Sequence, residues 1–410
     1  MRSPNLLAMM AALYGLGLAN IFIRSSMGVL APELAADLAL PPEMLGAIAS
    51  AFFLSYALMQ IPTGLMLDRF GPRIIMSGLF LLTVVGTLLF ALSPSGTAML
   101  IARILMGIGC AGVFPGAFLV IARFYPPARF TPIGATLNGF AMLGTFLATV
   151  PLAYLVTIIG WRDSFLWIGI FMALVAVLAV VAVRDQPAGV DAKAQRERQE
   201  SVRDVLAGSW AVMRTPGILT ITSGGIALSA GNTILGIWGG PYLNDVHNLD
   251  QTERGAVLIF MACSSIVGHL LYGQASRVIS SLKKLVLGGT AAIAAIMGAL
   301  ALLPAPSVIT VTALLAFLGM ACGFPTIMLA HSRALVPDYL IGRALTTVNT
   351  GVMIAIAAMQ MAIGGIIGSI MVSADGQATA DSYRVAFGFF AAMAVLTFVI
   401  YSKAKDAKPR

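Results

Sequence analysis

Two arginines lie inside long apolar stretches of this sequence, where a charge is costly to bury. Arg24 falls late in the first stretch and Arg103 early in the fourth. An arginine at the centre of a membrane helix costs about 2.5–3.5 kcal/mol on insertion scales, so each must face protein, water or a ligand. All aspartates and glutamates fall in loops or at the ends of stretches. Because a guanidinium matches a carboxylate or phosphate bidentately, Arg24 is the candidate to bind an anion.

Each arginine also has other interpretations. Asn20 precedes Arg24 by one helical turn, so the two side chains share a face. Alternatively, Arg24 snorkels to the outer interface or pairs with Glu33. Arg103 either hydrogen-bonds backbone carbonyls or tunes proton transfer, and the sequence leaves both open.

Uncharged polar residues at helical spacings add candidates for a binding cavity. Three pairs of residues each share a helix face: Tyr56 with Gln60, His269 with Tyr272, and Asn349 with Gln360. Three further candidates are Asn138, Asn232 and Trp238. Amides inside membrane helices hold helices together as often as they bind ligands. His269 is the one imidazole in the middle of a stretch; it either carries a proton or is a structural histidine.

The composition excludes a soluble protein. Hydrophobic residues make up 59% of the chain and charged residues 10%, against about 25% charged residues in globular proteins. The mean hydropathy is +0.93. The net charge of +8 does not indicate a nucleic-acid partner, because the basic residues lie in short loops. The three cysteines show no C-x-x-C spacing, so no disulfide framework, metal site or cofactor is indicated.

Apolar runs of about 20 residues or more predict an all-α membrane protein with about twelve transmembrane helices. The predicted spans are 6–32, 43–66, 74–93, 98–122, 132–157, 164–183, 215–243, 255–276, 285–303, 307–332, 344–372 and 383–402. The polar segment 184–214 is predicted to be a cytoplasmic linker, with some amphipathic helix, between an N-terminal bundle, 1–183, and a C-terminal bundle, 215–410.

The basic residues predict the orientation in the membrane. If both termini are cytoplasmic, only Arg162, Arg254 and Arg384 of the 25 lysines and arginines fall in outer loops. Arg24 and Arg103 lie within spans, and the others lie on the cytoplasmic side. This distribution follows the positive-inside rule, so both termini are expected in the cytoplasm.

The two halves of the sequence repeat. In span four Phe114-Pro115 is followed by Arg123, and in span ten Phe324-Pro325 is followed at the same spacing by Arg333. Asn138 in span five and Asn349 in span eleven then follow at similar offsets. The ordered set predicts two six-helix pseudo-repeats in parallel orientation.

The loop between spans two and three reads GLMLDRFGPR, in which Gly64, Asp68, Arg69, Gly71 and Arg73 fit the pattern G-x-x-x-D-R-x-G-x-R/K. This loop resembles the signature of the major facilitator superfamily. Gly64 is expected to let two helices approach closely, and the two arginines to hold the loop in the cytoplasm. The resemblance implies that the acid and the two arginines latch the halves during conformational change. It also favours a monomer.

Span one is similar to two branches of that superfamily. Arg24 with Pro32 eight residues on resembles the organophosphate:phosphate antiporters and the anion:cation symporters, in which this arginine binds the anionic group of the substrate. The antiporters usually add a second arginine in the seventh helix, and span seven has none.

Span four carries a further resemblance. Arg103 opens RILMGIGCAGVFPG, which is similar to the fourth-helix motif R-x-x-x-G-x-G, and Gly107, Gly109 and Gly112 are expected to allow close helix packing. The symporters usually place a glutamate seven residues after the arginine as proton carrier, where this sequence has Cys110.

The sequence therefore predicts a secondary transporter of this superfamily in the inner membrane of a bacterium, moving a small organic anion by alternating access. Its partners would be the anion and the lipid bilayer. Protons either travel with the substrate or through His269, or they take no part, which leaves exchange or facilitated diffusion. One alternative is a drug or siderophore exporter of the same fold. Another is a membrane enzyme or receptor, which the lack of G-x-x-x-x-G-K-S/T and H-E-x-x-H patterns disfavours.

Overall fold

The structure is a computed structural model that describes residues 6–186, 202–304, 306–337, 340–373 and 379–407. All regular elements in these ranges are helices. Eleven helical stretches in these ranges, three of them formed by consecutive helices, are long and apolar enough to cross a membrane, and Pro132–Leu147 is a shorter apolar helix. The predicted all-α membrane protein with about twelve spans is confirmed.

The helices fall into two compact units. The first unit is Met1–Ser26 with Ala51–Val205, and the second is Met27–Ser50 with Leu206–Arg410. The helices of the first unit are α1 (Leu6–Ser25), most of α3 (Pro42–Phe70), α4 (Pro72–Ala91), α5 (Gly96–Cys110), α6 (Val113–Phe124), α7 (Pro127–Leu147) and α8 (Val150–Ala182).

The second unit begins with α2 (Met27–Leu38) and the start of α3. It continues with α9 (Val202–Arg214), α10 (Ile218–Thr222), α11 (Gly224–Thr233), a π-helical turn (Ile234–Trp238), α12 (Gly239–His247), α13 (Gln251–Val278), α14 (Leu282–Leu302), α15 (Val308–Ala321), α16 (Pro325–Ala334), α17 (Ile341–Ser373) and α18 (Ala380–Ser402).

The first predicted span, 6–32, is two helices rather than one. The chain breaks at Ser26, and α2 then continues past Pro32 to Leu38. Pro32 lacks an N–H, so the carbonyl of Gly28 has no donor four residues on. The break follows directly after Arg24, which therefore lies at a helix end inside the membrane region.

The fifth and sixth predicted spans, 132–157 and 164–183, are divided differently from the prediction. α7 ends at Leu147, and α8 starts at Val150 with Pro151 in its first turn, where the missing N–H costs nothing. α8 is then interrupted at Gly160, whose φ of 78° is open to glycine but strained for other residues. Two short breaks thus replace the single loop expected between the spans.

Two glycines on α5 and Gly112 at the N-cap of α6 confirm the predicted close packing of the fourth span. A Cβ at Gly107 would meet the backbone of Phe52, and a Cβ at Gly109 would lie 2.5 Å from the backbone nitrogen of Thr83. Gly112 is also tight, with Leu79 Cδ1 at 3.0 Å from its Cβ position. Any larger residue at these glycines would push α5 away from α3 and α4.

The repeat appears as the same helix break in both units. α5 ends at Cys110 and α6 starts at Val113, just before Phe114-Pro115. α15 ends at Ala321 and α16 starts at Pro325, with Phe324 as its N-terminal cap residue. Spans four and ten are therefore broken at equivalent positions.

α9 supplies the amphipathic helix expected in the linker; residues 187–201 lie outside the described residues. Its inner face includes Val212, which packs in a buried cluster with Ile218 and Ala344. Trp210 is exposed, and the guanidinium of Arg214 lies 4.9 Å from the centroid of its ring.

Candidate functional site

Arg24 lies in the last turn of α1, where it is partly exposed. Its guanidinium carbon is 5.2 Å from the centroid of the Phe53 ring on α3. Tyr56, one turn further along α3, is close enough to interact with the Arg24 charge, and its phenol also interacts with the side chain of Gln60. The structure thus brings three of the predicted binding residues, Arg24, Tyr56 and Gln60, next to one another in the first unit.

Arg103 and Asn20 make buried hydrogen bonds to backbone carbonyls in the same unit as Arg24. Arg103 is 1% exposed, and its Nη1 donates to the carbonyl oxygen of Ile23 at 2.9 Å, while its guanidinium carbon lies 4.7 Å from the centroid of the Phe52 ring. Asn20 is also buried, and its Nδ2 donates to the carbonyl of Cys110 at 2.8 Å. Of the two interpretations of Arg103, the geometry favours hydrogen bonding to a backbone carbonyl, here at the helix end that carries Arg24.

The other predicted residues are spread over both units. Asn138, on α7 of the first unit, is exposed, and Asn349, on α17, is partly exposed. Nδ2 of Asn232 donates to the carbonyl of Leu228 in its own helix at 3.1 Å. Tyr272 packs against Phe324, with ring centroids 5.9 Å apart.

His269 is partly buried on α13. Its Nδ1 is 2.7 Å from the carbonyl oxygen of Ser265, one turn earlier. Nδ1 must carry the proton in this contact, because a carbonyl only accepts. In the neutral imidazole Nε2 is then the acceptor nitrogen.

Trp238 and Gln360 are the most deeply buried of the predicted polar residues in the second unit. Trp238 ends the π-helical turn and is 2% exposed, while Gln360 is 0% exposed. Neither the indole Nε1 nor the Gln360 amide has a hydrogen-bond partner among the described residues. π-helical turns of this kind occur frequently at functional sites.

Glu33 and Arg254 form an ion pair that the sequence did not reveal. Arg254 is 3% exposed in the first turn of α13; it donates to Glu33 on α2, and its Nη1 donates to Asn244 Oδ1 at 2.6 Å. Glu33 therefore has a basic partner within its own unit. Burial raises the pKa of Glu33, and the neighbouring Arg254 charge opposes that rise.

The signature loop joins α3 to α4 through Gly71, whose φ is 85°. The backbone N–H of Arg73, at the start of α4, donates to Asp185 Oδ1 at 2.8 Å, and Nε of Arg73 donates to the carbonyl of Val180 at 3.0 Å. Asp185 thus caps the N-terminus of α4, although it is 112 positions away in sequence. Because Asp185 lies in the predicted polar linker, the sequence did not predict this role.

Two features of the loop differ from expectation. A Cβ at Gly64 would meet nothing within 4 Å in the described part of the chain, so the predicted close helix approach at Gly64 is not made in this structure. Asp68 and Arg69 are exposed, and the Arg69 guanidinium lies 5.5 Å from the Phe70 ring centroid.

Asp185 and Asp68 are expected to differ sharply on substitution. Asp185→Ala removes an acceptor at a helix N-terminus and should lower the free energy of unfolding by about 1 kcal/mol.

Asp68→Asn should leave thermal stability and ligand affinity intact but slow transport, because a latch shifts the equilibrium between two conformations without contacting the ligand. Melting in detergent and transport in liposomes separate the two, with the exposed Asp163→Ala as control. Collapse of ligand affinity in Asp68→Asn would refute the latch.

Fold and site together define a multi-pass α-helical membrane protein that holds an arginine beside an aromatic ring within the first of its membrane spans. A model of the Major Facilitator Superfamily matches residues 13–360. The chain belongs to this superfamily.

Similar proteins are transporters. The chain is 30% identical over 164 residues to the “Probable sulfoacetate transporter SauU” of Cupriavidus necator, a match that covers 40% of this chain and 38% of that protein. It is 29% identical over 191 residues to the “Hexuronate transporter” of Bacillus subtilis, covering 46% of this chain and 44% of that protein. The matches therefore span less than half of each relative.

Among solved structures, a bacterial homologue of the human lysosomal transporter Spinster superposes with a TM-score of 0.73 at 18% identity, covering 98% of this chain and 97% of that one. This likeness establishes the fold alone. Since the superfamily and the relatives are transporters rather than enzymes, the alternative of a membrane enzyme is set aside.

Proposed function

We propose that this protein is a secondary transporter that moves a small organic anion across the membrane by alternating access, with Arg24 binding the anion. The observation that carries the proposal is the Arg24 guanidinium at a helix end within a span, 5.2 Å from the Phe53 ring centroid and beside Tyr56. A planar guanidinium keeps its charge in such a setting and presents paired donors to a carboxylate or sulfonate.

The relatives support an anionic substrate. Sulfoacetate and hexuronates, named for two of them, are small organic anions that carry a carboxylate. The protein would lie in the inner membrane of a bacterium as a monomer with both termini in the cytoplasm. Asn20, Gln60, Asn138, Asn232, Trp238, Tyr272, Asn349 and Gln360 remain candidates for contacts to the rest of the substrate.

The test is a ligand screen followed by transport. Purified protein is melted with carboxylates, sulfonates, phosphate esters and cationic drugs, since a ligand that binds the folded state raises the melting temperature. We expect stabilisation by carboxylates or sulfonates, and counterflow of the same compounds in proteoliposomes. Stabilisation by cationic drugs alone would instead support the exporter of the same fold. Catalytic turnover without transport would refute both.

Proton coupling through His269 is a separate prediction. We expect an imposed pH gradient to drive accumulation of the anion in proteoliposomes, and His269→Gln to abolish accumulation while leaving anion exchange intact, because glutamine cannot take up a proton. His247→Gln is the matched control. Gradient-driven accumulation that survives in His269→Gln would remove this histidine from the mechanism, leaving substrate-borne protons as the coupling route.

A variant at Cys110 extends the test of proton coupling. It is 0% exposed, and its Sγ lies 3.7 Å from Thr83 Oγ1, in the position where related symporters carry a glutamate. If the wild type shows no accumulation at all, the protein is an exchanger or uniporter. Accumulation gained in Cys110→Glu would then show that only the carboxylate was missing.

A further inference from the structure

The second unit contains a cavity of about 410 Å³ that the anion site does not use. Its walls come from the end of α2, the start of α3, the π-helical turn, α12 and the ends of α17 and α18 that lie near them. The volume lies within the range of about 300–1,000 Å³ typical of sites for small organic ligands.

The charge of this cavity is opposite to that of the Arg24 site. Asp245 is the one charged residue among the described residues that line the cavity. Its Oδ2 accepts a hydrogen bond from the Tyr383 hydroxyl at 2.6 Å, and its Oδ1 accepts from Asn244 Nδ2 at 2.9 Å. These contacts fix the carboxylate, and each oxygen keeps a lone pair for a further donor.

The rest of the lining is apolar except for one unused donor. Trp238 is 2% exposed, and its indole Nε1 has no acceptor among the described residues. Most of the remaining wall is aliphatic, with Leu40, Pro42 and Ile367 among the contributors. An ordered carboxylate, an aromatic ring and an aliphatic wall therefore surround the same space.

We propose that this cavity binds an amphiphilic organic cation: an ammonium group on Asp245, with an apolar body against the aliphatic wall and Trp238. An organic anion is disfavoured because it would meet the Asp245 carboxylate, and none of the described lining residues is a cation that could offset the repulsion. The cavity is thus a second site, distinct in ligand class from the anion site.

Three compounds with the same apolar body isolate the charge: 1-adamantanamine, 1-adamantanol and 1-adamantanecarboxylate. Their binding to the full chain in nanodiscs of uncharged lipid is measured by calorimetry without any other ligand, so the result is independent of the proposed anion transport. We expect the amine to bind about fivefold more tightly than the alcohol, as for a partly solvated ion pair, and the carboxylate to bind most weakly.

Two variants localise the binding. Asp245→Asn should equalise the affinities of amine and alcohol, whereas Asp250→Asn, at the N-cap of α13 where asparagine caps equally well, should leave them unchanged. Ala35→Phe fills the cavity and should abolish binding of all three compounds. Equal affinity of amine and carboxylate in the wild type, a preference for the amine that persists in Asp245→Asn, or binding that persists in Ala35→Phe would each overturn the proposal.

Discussion

Replacing Arg24 by lysine is expected to weaken binding of the transported anion almost as much as replacing it by alanine. Lysine keeps the charge but loses the planar pair of donors that meets a carboxylate bidentately, and it also stacks less well on the Phe53 ring. Losing about 3 kcal/mol of charge-assisted hydrogen bonding corresponds to a dissociation constant about a hundredfold higher in both variants.

Arg162→Lys is the matched control for this experiment. Arg162 also lies over an aromatic ring, 4.2 Å from the centroid of Trp161, but it follows the break at Gly160 in α8. Its replacement should leave affinity unchanged in calorimetry, while both Arg24 variants lose it. Wild-type affinity in Arg24→Lys or Arg24→Ala would refute the assignment of Arg24.

The sequence predicted the spans and the helix that carries Arg24, because both depend on local properties. A run of about 20 apolar residues identifies a membrane helix, and a charged residue inside such a run is visible in the sequence. The breaks within spans were harder to predict. The break at Ser26 and the break between α7 and α8 fall inside stretches that hydropathy assigns to single spans, so hydropathy alone does not locate them. The break at Gly160, by contrast, lies in the loop predicted between spans five and six.

The partners of the charged residues could not be predicted, because they are far apart in sequence. Glu33 and Arg254 are separated by 221 positions, and Arg73 and Asp185 by 112. The basic-residue count placed Arg254 in an outer loop, whereas packing buries it in the first turn of α13. Helical spacing identifies residues on one face of one helix, but which other helix meets that face depends on tertiary packing.

The two ends of the Glu33–Arg254 pair are unequally buried, and we expect their removal to have unequal effects. Arg254 is 3% exposed, whereas the side chain of Glu33 is 25% exposed. Glu33→Gln leaves a buried guanidinium without its carboxylate and should cost about 3 kcal/mol of stability, toward the lower end of values for broken buried pairs. Arg254→Gln leaves a carboxylate that solvent can reach, and the new amide can still donate to Asn244, so its cost should be roughly 1 kcal/mol.

The double variant Glu33→Gln/Arg254→Gln decides whether the pair stabilises the fold or only avoids an unpaired charge. Burial raises the pKa of Glu33 and the Arg254 charge opposes that rise, and for buried pairs the cost of desolvation often cancels the attraction between the charges. The double variant should therefore recover most of the stability that Glu33→Gln loses. Melting temperatures of the four proteins are compared in one detergent. We expect the wild type to melt highest and Glu33→Gln lowest, with the double variant and Arg254→Gln between them. If Arg254→Gln is the less stable single variant, the argument from unequal burial is wrong. If the double variant melts below both single variants, the pair is a net source of stability and the expected recovery is wrong.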